Sequence, residues 1–136
     1  RDGSVFMGNT LKVFMIAGEP SGDKLGAALM DGLISEVPDV EFEGIGGPLM
    51  QDLRLESLFL MDELSLMGIA EILPKYRHLK RRIRQTADAV IAANPDVLIT
   101  IDSPDVCLRV ARLVKVGSNV RCVHYVAATV WAWRPK

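Results

Sequence analysis

Apolar residues are arranged along this chain in short continuous runs that alternate with longer stripes at helical spacing. The first run is Lys12–Ala17 (KVFMIA), which stops at Gly18, and after a glycine-bearing turn an apolar stripe extends from Lys24 to Val37. A second run, Val40–Ile45, ends at two glycines and a proline. The pattern predicts a strand, a tight turn, a helix and a second strand.

The same alternation returns in the second half of the chain. Asp96–Ile101 (DVLITI) is a nearly continuous apolar run, the segment after Pro104 has a core-facing helical stripe, and Val120–Val126 supplies the last strand. Leu58–Met61 is a further short strand candidate. Apolar strands that alternate with helices form parallel sheets through right-handed crossovers. We therefore predict an α/β fold with a doubly wound, Rossmann-like parallel sheet.

The length of 136 residues and the hydrophobic fraction of 49% suffice for one domain with a single core. Residues 1–10 are polar and glycine-bearing, so we treat them as a disordered or non-native extension and assign residues 11–136 to the domain. The sequence stops at Lys136, directly after an aromatic cluster. We expect further chain to follow.

Charge and cysteine usage exclude several classes of protein. A formal net charge of -1 argues against a generally basic nucleic-acid binder, whose affinity would come from neutralising phosphates. The two cysteines, Cys107 and Cys122, lie in apolar stretches and are typical of buried residues in a reducing cytosol. No apolar run reaches the roughly 18 residues of a membrane span, so a cytoplasmic or peripheral protein is expected.

The turn after the first strand is the first candidate binding site, because ligands of open α/β sheets collect beyond the carboxyl ends of the strands. Its glycines would let a sugar or phosphate approach the backbone. In the structural alternative, the serine caps the helix and the aspartate complements the helix dipole. The spacing matches neither a dinucleotide fingerprint nor a nucleotide-triphosphate loop, so no cofactor is predicted. The candidate substrate-binding residues are Gly18, Glu19, Ser21, Gly22 and Asp23.

Two carboxylates follow the strand at Asp96–Ile101. Asp102 and Asp105 flank a proline at the same edge of the predicted sheet. A partly desolvated carboxylate at a strand end can accept a proton from a hydroxyl nucleophile, so Asp102 is the candidate general base and Asp105 a candidate substrate-binding residue. Alternatively, both residues only stabilise the start of the next helix. Two carboxylates without further ligands do not define a metal site, and none is predicted.

The last strand leads into a loop rich in aromatic residues. His124 lies in this strand and Trp131 in the loop, where large amphipathic side chains would form the wall of a ligand site. In the alternative interpretation, His124 is an ordinary hydrogen-bonded histidine and Trp131 closes the core against a following element.

An apolar stretch followed by a basic one occupies residues 58–86, and no acid interrupts residues 74–86. Such a pair of stretches is typical of a peripheral enzyme on an anionic membrane, whereas the structural alternative is core residues followed by a solvated helix face. The residues assigned to a membrane or acyl-chain surface are Met67, Ile69, Ile72, Leu73, Arg77, Arg81, Arg82 and Arg84.

Five motifs in this order resemble the lipid-A-disaccharide synthase family. They are AGEPSGDKLGAALM (17–30), GIGGPLM (44–50), LSLMGIAEIL (64–73), NPDVLITIDSPD (94–105) and VHYVAATVWAWRPK (123–136). Two positions depart from the family pattern: Val106 stands where an aromatic residue is usual, and Ala128 where a proline is usual. These departures affect the last loop and the packing near Asp105, not Asp102.

The resemblance implies the amino-terminal half of a GT-B glycosyltransferase that works on the inner face of the bacterial cytoplasmic membrane. Such an enzyme transfers a diacylglucosamine, with inversion, from UDP to the 6-hydroxyl of a diacylglucosamine 1-phosphate. The family motif places the general base at Asp102 and the glycine-rich turn on the acceptor side. The UDP site is expected on the protein's own carboxyl-terminal domain, so this chain alone is expected to be inactive. The resemblance also favours the interpretation of residues 58–84 as a membrane surface.

Two other functions stay open at this point. One is a nicotinamide-dependent oxidoreductase domain, which the absent fingerprint disfavours. The other is a non-catalytic, flavodoxin-like adaptor at a membrane surface, which would use the basic stretch but not Asp102.

Overall fold

The computed structural model describes residues 11–64, 73–101 and 104–125, and within these ranges it omits the side chains of residues 62, 73–76, 104 and 105. Four strands form one sheet: β1 (Lys12–Ala17), β2 (Glu41–Ile45), β3 (Val97–Ile101) and β4 (Arg121–Tyr125). Four α-helices in the described ranges lie between these strands along the chain: α1 (Pro20–Glu36), α2 (Pro48–Gln51), α3 (Leu73–Ala93) and α4 (Pro104–Gly117). A 3-10 helix covers Met61–Leu64.

All neighbouring strands are parallel, in the order β2-β1-β3-β4. The order reverses at β1, because the chain first moves from β1 to β2 and then crosses back to β3 and β4. Right-handed crossovers place helices on both faces of such a sheet, with α1 on one face and α3 and α4 on the other. The packing of α1 on α2 and of α3 on α4 agrees with this arrangement. The predicted Rossmann-like α/β class is therefore confirmed.

The core is centred on β1, whose residues Val13–Ala17 are at most 1% exposed. Both neighbours of β1 are strands and helices cover both of its faces, which explains why its sequence is apolar at consecutive positions. At the carboxyl end, Ala17 is paired with Ile101 and Ile101 with Tyr125. The strands therefore end level with one another, and the turns that follow them start at one edge of the sheet.

Three sequence-based expectations need correction. Helix α1 begins at Pro20, four residues before the expected Lys24, because proline suits the first turn of a helix. Ser21 therefore lies inside the helix with an exposed side chain, and Glu19 occupies the N-cap position without a side-chain cap bond. Leu58–Met61 is not a strand: a single bridge joins Gly44 to Ser57, and the chain then turns into the 3-10 helix.

Helix α3 was the largest element that the apolar pattern did not predict. Its inward residues, Leu79, Ile83, Ala87 and Val90, are buried at helical spacing, but they alternate with basic residues in the sequence. None of the helices in the described parts of the chain combines the length and the apolarity that crossing a bilayer requires.

Candidate functional site

The turn after β1 brings α1 very close to the ends of two strands. Gly22 is buried in the first turn of α1, and a Cβ placed there would lie 3.4 Å from the Cβ of Ala17 and 3.5 Å from the carbonyl oxygen of Ile101. These are ordinary van der Waals distances, so Gly22 packs closely against both strand ends without glycine being strictly required there. Gly18 is also buried, whereas Glu19 and Ser21 are exposed at the rim. The predicted substrate-binding turn thus has a buried floor of glycine backbone and a polar rim.

Asp23 connects this turn to the turn that follows β2. Its side chain is 3% exposed, and its Oδ1 accepts hydrogen bonds from the backbone N–H groups of Gly47 (3.0 Å) and Met50 (2.9 Å). Its Oδ2 accepts a third bond from Leu49 at 3.0 Å. The carboxylate therefore fixes the Gly46–Gly47–Pro48 turn and the start of α2 against α1, which makes Asp23 a positioning residue for the two neighbouring turns.

The contact with Asp23 leaves no room for a side chain at Gly47. A Cβ on Gly47 would lie 2.6 Å from Oδ2 of Asp23 and 2.8 Å from its Cγ, well inside the closest approach of real Cβ atoms. Glycine is required at this position because the Asp23 carboxylate occupies the place of a side chain. From the sequence, Asp23 is predicted either to bind a substrate or to complement the dipole of its own helix. Its bonds to the second turn are not predicted by either interpretation.

On the other side of the carboxyl edge, β3 and β4 place Thr100 and His124 side by side. The two residues are register partners, and the Thr100 hydroxyl lies 2.7 Å from Nδ1 of His124. Thr100 is 4% exposed and His124 is exposed, so a buried hydroxyl anchors an imidazole that faces solvent. Thr100 was not among the predicted site residues. The signal that could have found it is a lone hydroxyl residue in the apolar run DVLITI, two residues before Asp102.

Several predicted site residues lie outside the described part of the chain. Asp102 follows directly after β3 but is itself outside the described residues, as is Trp131. Asp105 belongs to the first turn of α4, and its side chain is not described. Their predicted roles remain predictions. Among the described residues, no three His, Cys, Asp or Glu side chains come close enough together to hold a metal ion.

The predicted membrane surface is described only in its basic part. Met67, Ile69 and Ile72 lie outside the described residues, and the side chain of Leu73, the first residue of α3, is not described. Arg77, Arg81 and Arg84 are exposed on α3. Arg84 also forms an exposed ion pair with Asp88 at 3.2 Å, a type of pair that contributes little to stability.

Arg82 differs from the other arginines of α3, because its guanidinium is engaged within the protein. Its Nε donates to Oε1 of Glu63 at 2.6 Å, its terminal nitrogen donates to Gln85 at 2.6 Å, and the guanidinium lies 4.7 Å from the centroid of the Phe59 ring. His78 also contacts Glu63 at 2.5 Å. The assignment of Arg82 to a membrane surface stays a prediction, and the exposed Arg77, Arg81 and Arg84 support the proposal below.

The hydrogen bonds from Arg82 and, secondarily, from His78 hold the pKa of the Glu63 carboxyl below its ordinary value of 4.5. This three-residue cluster joins the 3-10 helix to α3 on either side of residues 65–72. The sequence analysis missed it because the pairing partners are 15 and 19 residues apart and belong to different elements.

Comparison with known proteins gives these turns a family context. The chain matches the family model described as lipid-A-disaccharide synthetase over residues 13–136. The chain belongs to the lipid-A-disaccharide synthase family. The resemblance carried by the five sequence motifs is thereby confirmed.

Relatives from several bacteria share this part of the sequence. Proteins named lipid-A-disaccharide synthase are 64% identical over 128 residues in Ruegeria pomeroyi, 50% over 127 residues in Rhodospirillum centenum and 45% over 130 residues in Pseudomonas aeruginosa. These matches cover 94%, 92% and 96% of this chain but only 32%, 32% and 34% of the relatives. The chain thus spans about a third of the length of these lipid-A-disaccharide synthases.

Proposed function

We propose that this chain is the acceptor-side domain of an inverting glycosyltransferase that forms the lipid A disaccharide. The donor is a UDP-linked diacylglucosamine and the acceptor is the 6-hydroxyl of a diacylglucosamine 1-phosphate. Membership of the lipid-A-disaccharide synthase family over residues 13–136 is the observation that carries this proposal. It favours sugar transfer over the oxidoreductase and the adaptor that the sequence left open.

The arrangement of the carboxyl edge supports an acceptor site at this place. The turn after β1 and the Gly46–Gly47–Pro48 turn follow strands that end level with one another, the exposed His124 lies next to the end of β4, and β3 leads directly to Asp102. Ligands of open parallel sheets bind at such an edge, next to the strand where the order reverses. Here that strand is β1, followed by Gly18 and Glu19.

In the proposed reaction, Asp102 acts as the general base. The acceptor hydroxyl oxygen attacks the anomeric carbon, a new carbon–oxygen bond forms, and the bond to the UDP phosphate breaks with inversion at carbon. The hydroxyl proton passes to the Asp102 carboxylate and UDP leaves with the bonding electrons. A positioned base of this kind typically contributes about 10² to 10⁴ in rate. No cofactor takes part, and the UDP-sugar binds to a carboxyl-terminal domain of the same protein.

The substrates carry acyl chains, so the enzyme must act at a membrane. We assign this contact to the apolar residues Met67, Ile69, Ile72 and Leu73 and to the basic residues Arg77, Arg81 and Arg84, on the inner face of the cytoplasmic membrane. The exposure of the three arginines supports the basic part of this surface.

The decisive test is sugar transfer by the full-length protein with Asp102→Asn, compared with Asp39→Asn in an exposed turn before β2. We expect Asp102→Asn to lower kcat by about 10² to 10⁴ without changing KM for the UDP-sugar, and Asp39→Asn to match the wild type. A wild-type kcat in Asp102→Asn would remove the proposed base. Absence of transfer in the wild-type protein would remove the proposed reaction.

A further inference from the structure

Positive charge is strongly concentrated in the helix pair α3 and α4. These two helices contain nine of the sixteen Lys and Arg residues but only two of the seventeen Asp and Glu residues. The rest of the chain therefore has seven basic and fifteen acidic residues. Although the net charge is -1, one helix layer is basic and the remainder of the molecule is acidic, which directs a positive potential outward from α3 and α4.

A groove of about 380 Å³ lies between these two helices. Four of its six lining side chains are cationic and two are aliphatic: Lys80, Ile83 and Arg84 on α3, and Arg109, Arg112 and Leu113 on α4. Ile83 is 4% exposed, so the groove has a closed apolar floor below a basic rim. Among the described side chains, no acidic one lines it. The Asp88 that contacts Arg84 does so at the protein surface, outside the lining.

We propose that this groove binds the headgroup of an anionic phospholipid. The phosphodiester would contact Arg84 and Arg112 from opposite walls, and the glycerol and first acyl methylenes would lie on Ile83 and Leu113. An anionic amphiphile matches both halves of the lining, whereas a fully polar anion would leave the apolar floor without a partner.

The position of the groove fits the same orientation as the proposed membrane surface. Helix α3 connects the end of β2 to the start of β3, so its first turns lie near the carboxyl edge of the sheet, and α4 also starts at that edge. Lys80 lies near the start of the third turn of α3, about one turn after Arg77. A lipid held here would bring the face covered by α3 and α4, with the first turns of both helices, toward the bilayer. The inference rests on the membrane part of the proposed function but not on the sugar-transfer chemistry.

The test is co-sedimentation of the full-length protein with vesicles of phosphatidylcholine, with or without phosphatidylglycerol. The test variant is Arg84→Gln with Arg112→Gln, which removes one exposed cation from each wall. The control, Lys24→Gln with Lys115→Gln, removes the same charge from exposed positions of α1 and α4 outside the groove. We expect the test variant to bind phosphatidylglycerol vesicles about 30-fold more weakly than the wild type. The control should lose far less, and pure phosphatidylcholine should not distinguish the proteins.

Equal losses of vesicle affinity in the test variant and the control would mean diffuse electrostatic attraction and would overturn the groove as the binding site. So would tight binding of a DNA duplex that depends on the same two arginines. Release of the protein from vesicles by soluble glycerol phosphate as effectively as by a short-chain phosphatidylglycerol would mean that the apolar floor takes no part, and would overturn the phospholipid as the ligand. Sugar transfer in neutral detergent micelles separates the two proposals. Loss of the reaction there in the wild type would contradict the proposed function and leave the vesicle result standing.

Discussion

Oδ1 of Asp23 accepts a hydrogen bond from the backbone N–H of Gly47 at 3.0 Å, although the two residues belong to turns that follow different strands. The same carboxylate accepts two more amide bonds, from Leu49 and Met50. One buried side chain on α1 thus holds the second turn of the candidate site in place. At this part of the carboxyl edge, three backbone donors are already satisfied from within the protein.

We predict that Asp23→Asn destabilises the protein by about 2 kcal/mol, because an amide nitrogen cannot accept a bond and would leave at least one buried N–H unsatisfied. Thermal unfolding measures the effect. The matched control is Asp31→Asn on the exposed side of the same helix, which should unfold near the wild-type temperature. If both variants unfold at the same temperature, the three-bond carboxylate contact is not important for stability.

Gly47→Ala is expected to destabilise the same contact from the other side. The added Cβ would meet the Asp23 carboxylate at 2.6 Å, so either the turn or α1 must move, at a cost of about 1–3 kcal/mol. Gly32→Ala provides the comparison, because no atom lies within 4 Å of its Cβ and an alanine in mid-helix stabilises by about 0.4–1 kcal/mol. Opposite shifts of the unfolding temperature are expected, and a neutral Gly47→Ala would contradict the geometry.

Thr100→Val should lower kcat for sugar transfer by about tenfold, because the isosteric side chain no longer fixes the imidazole of His124 beside the end of β3. Thr100→Ser retains the hydroxyl and should restore most of the rate. Steady-state kinetics of the full-length protein distinguish positioning from packing. A loss of thermal stability in Thr100→Val with an unchanged kcat would assign the pair to the fold alone.

The Glu63 cluster predicts an acid-sensitive connection between the 3-10 helix and α3. Since its bonds to Arg82 and His78 lower the pKa of Glu63 in the folded state, they stabilise the protein above about pH 4.5 and lose this effect as the pH falls through the lowered pKa. Glu63→Gln should therefore lower the unfolding temperature at pH 7, and the difference from the wild type should close in acid. Glu56→Gln, an exposed carboxylate nearby in sequence, should show no such closing. A difference that stays constant with pH would contradict the assignment.

The apolar runs predicted the sheet well because burial on both faces leaves little choice of residue. Lys12–Ala17 was predicted with its observed bounds, and β3 starts one residue after the predicted Asp96–Ile101. Leu58–Met61 has the composition of a strand, but Leu58 and Leu60 are exposed, and among the described residues this segment pairs with the edge strand β2 only through the bridge of Ser57 to Gly44 and the backbone bond from Leu58 to the same residue. Composition alone does not reveal how far a segment beside an edge strand stays extended and pairs with it.

The partners of the site residues were less predictable, since they depend on how separate turns meet in space. Asp23 and Gly47 are 24 residues apart, and the sequence around either residue does not predict their contact. The basic groove likewise combines residues of α3 and α4, and the sequence analysis noticed only the α3 part because its cations are close together in the chain.

The central position of β1 has a consequence for how the protein is made. One neighbour of β1, strand β2, follows it closely in the chain, but the other, β3, begins at Val97. While the ribosome adds the intervening residues, one side of a strand that is apolar from Val13 to Ala17 has no hydrogen-bonding partner, and such an edge is prone to pair with other nascent chains. Because β3 is synthesised long after β1 and β2, we expect the chain to be prone to misfolding until β3 has paired with β1.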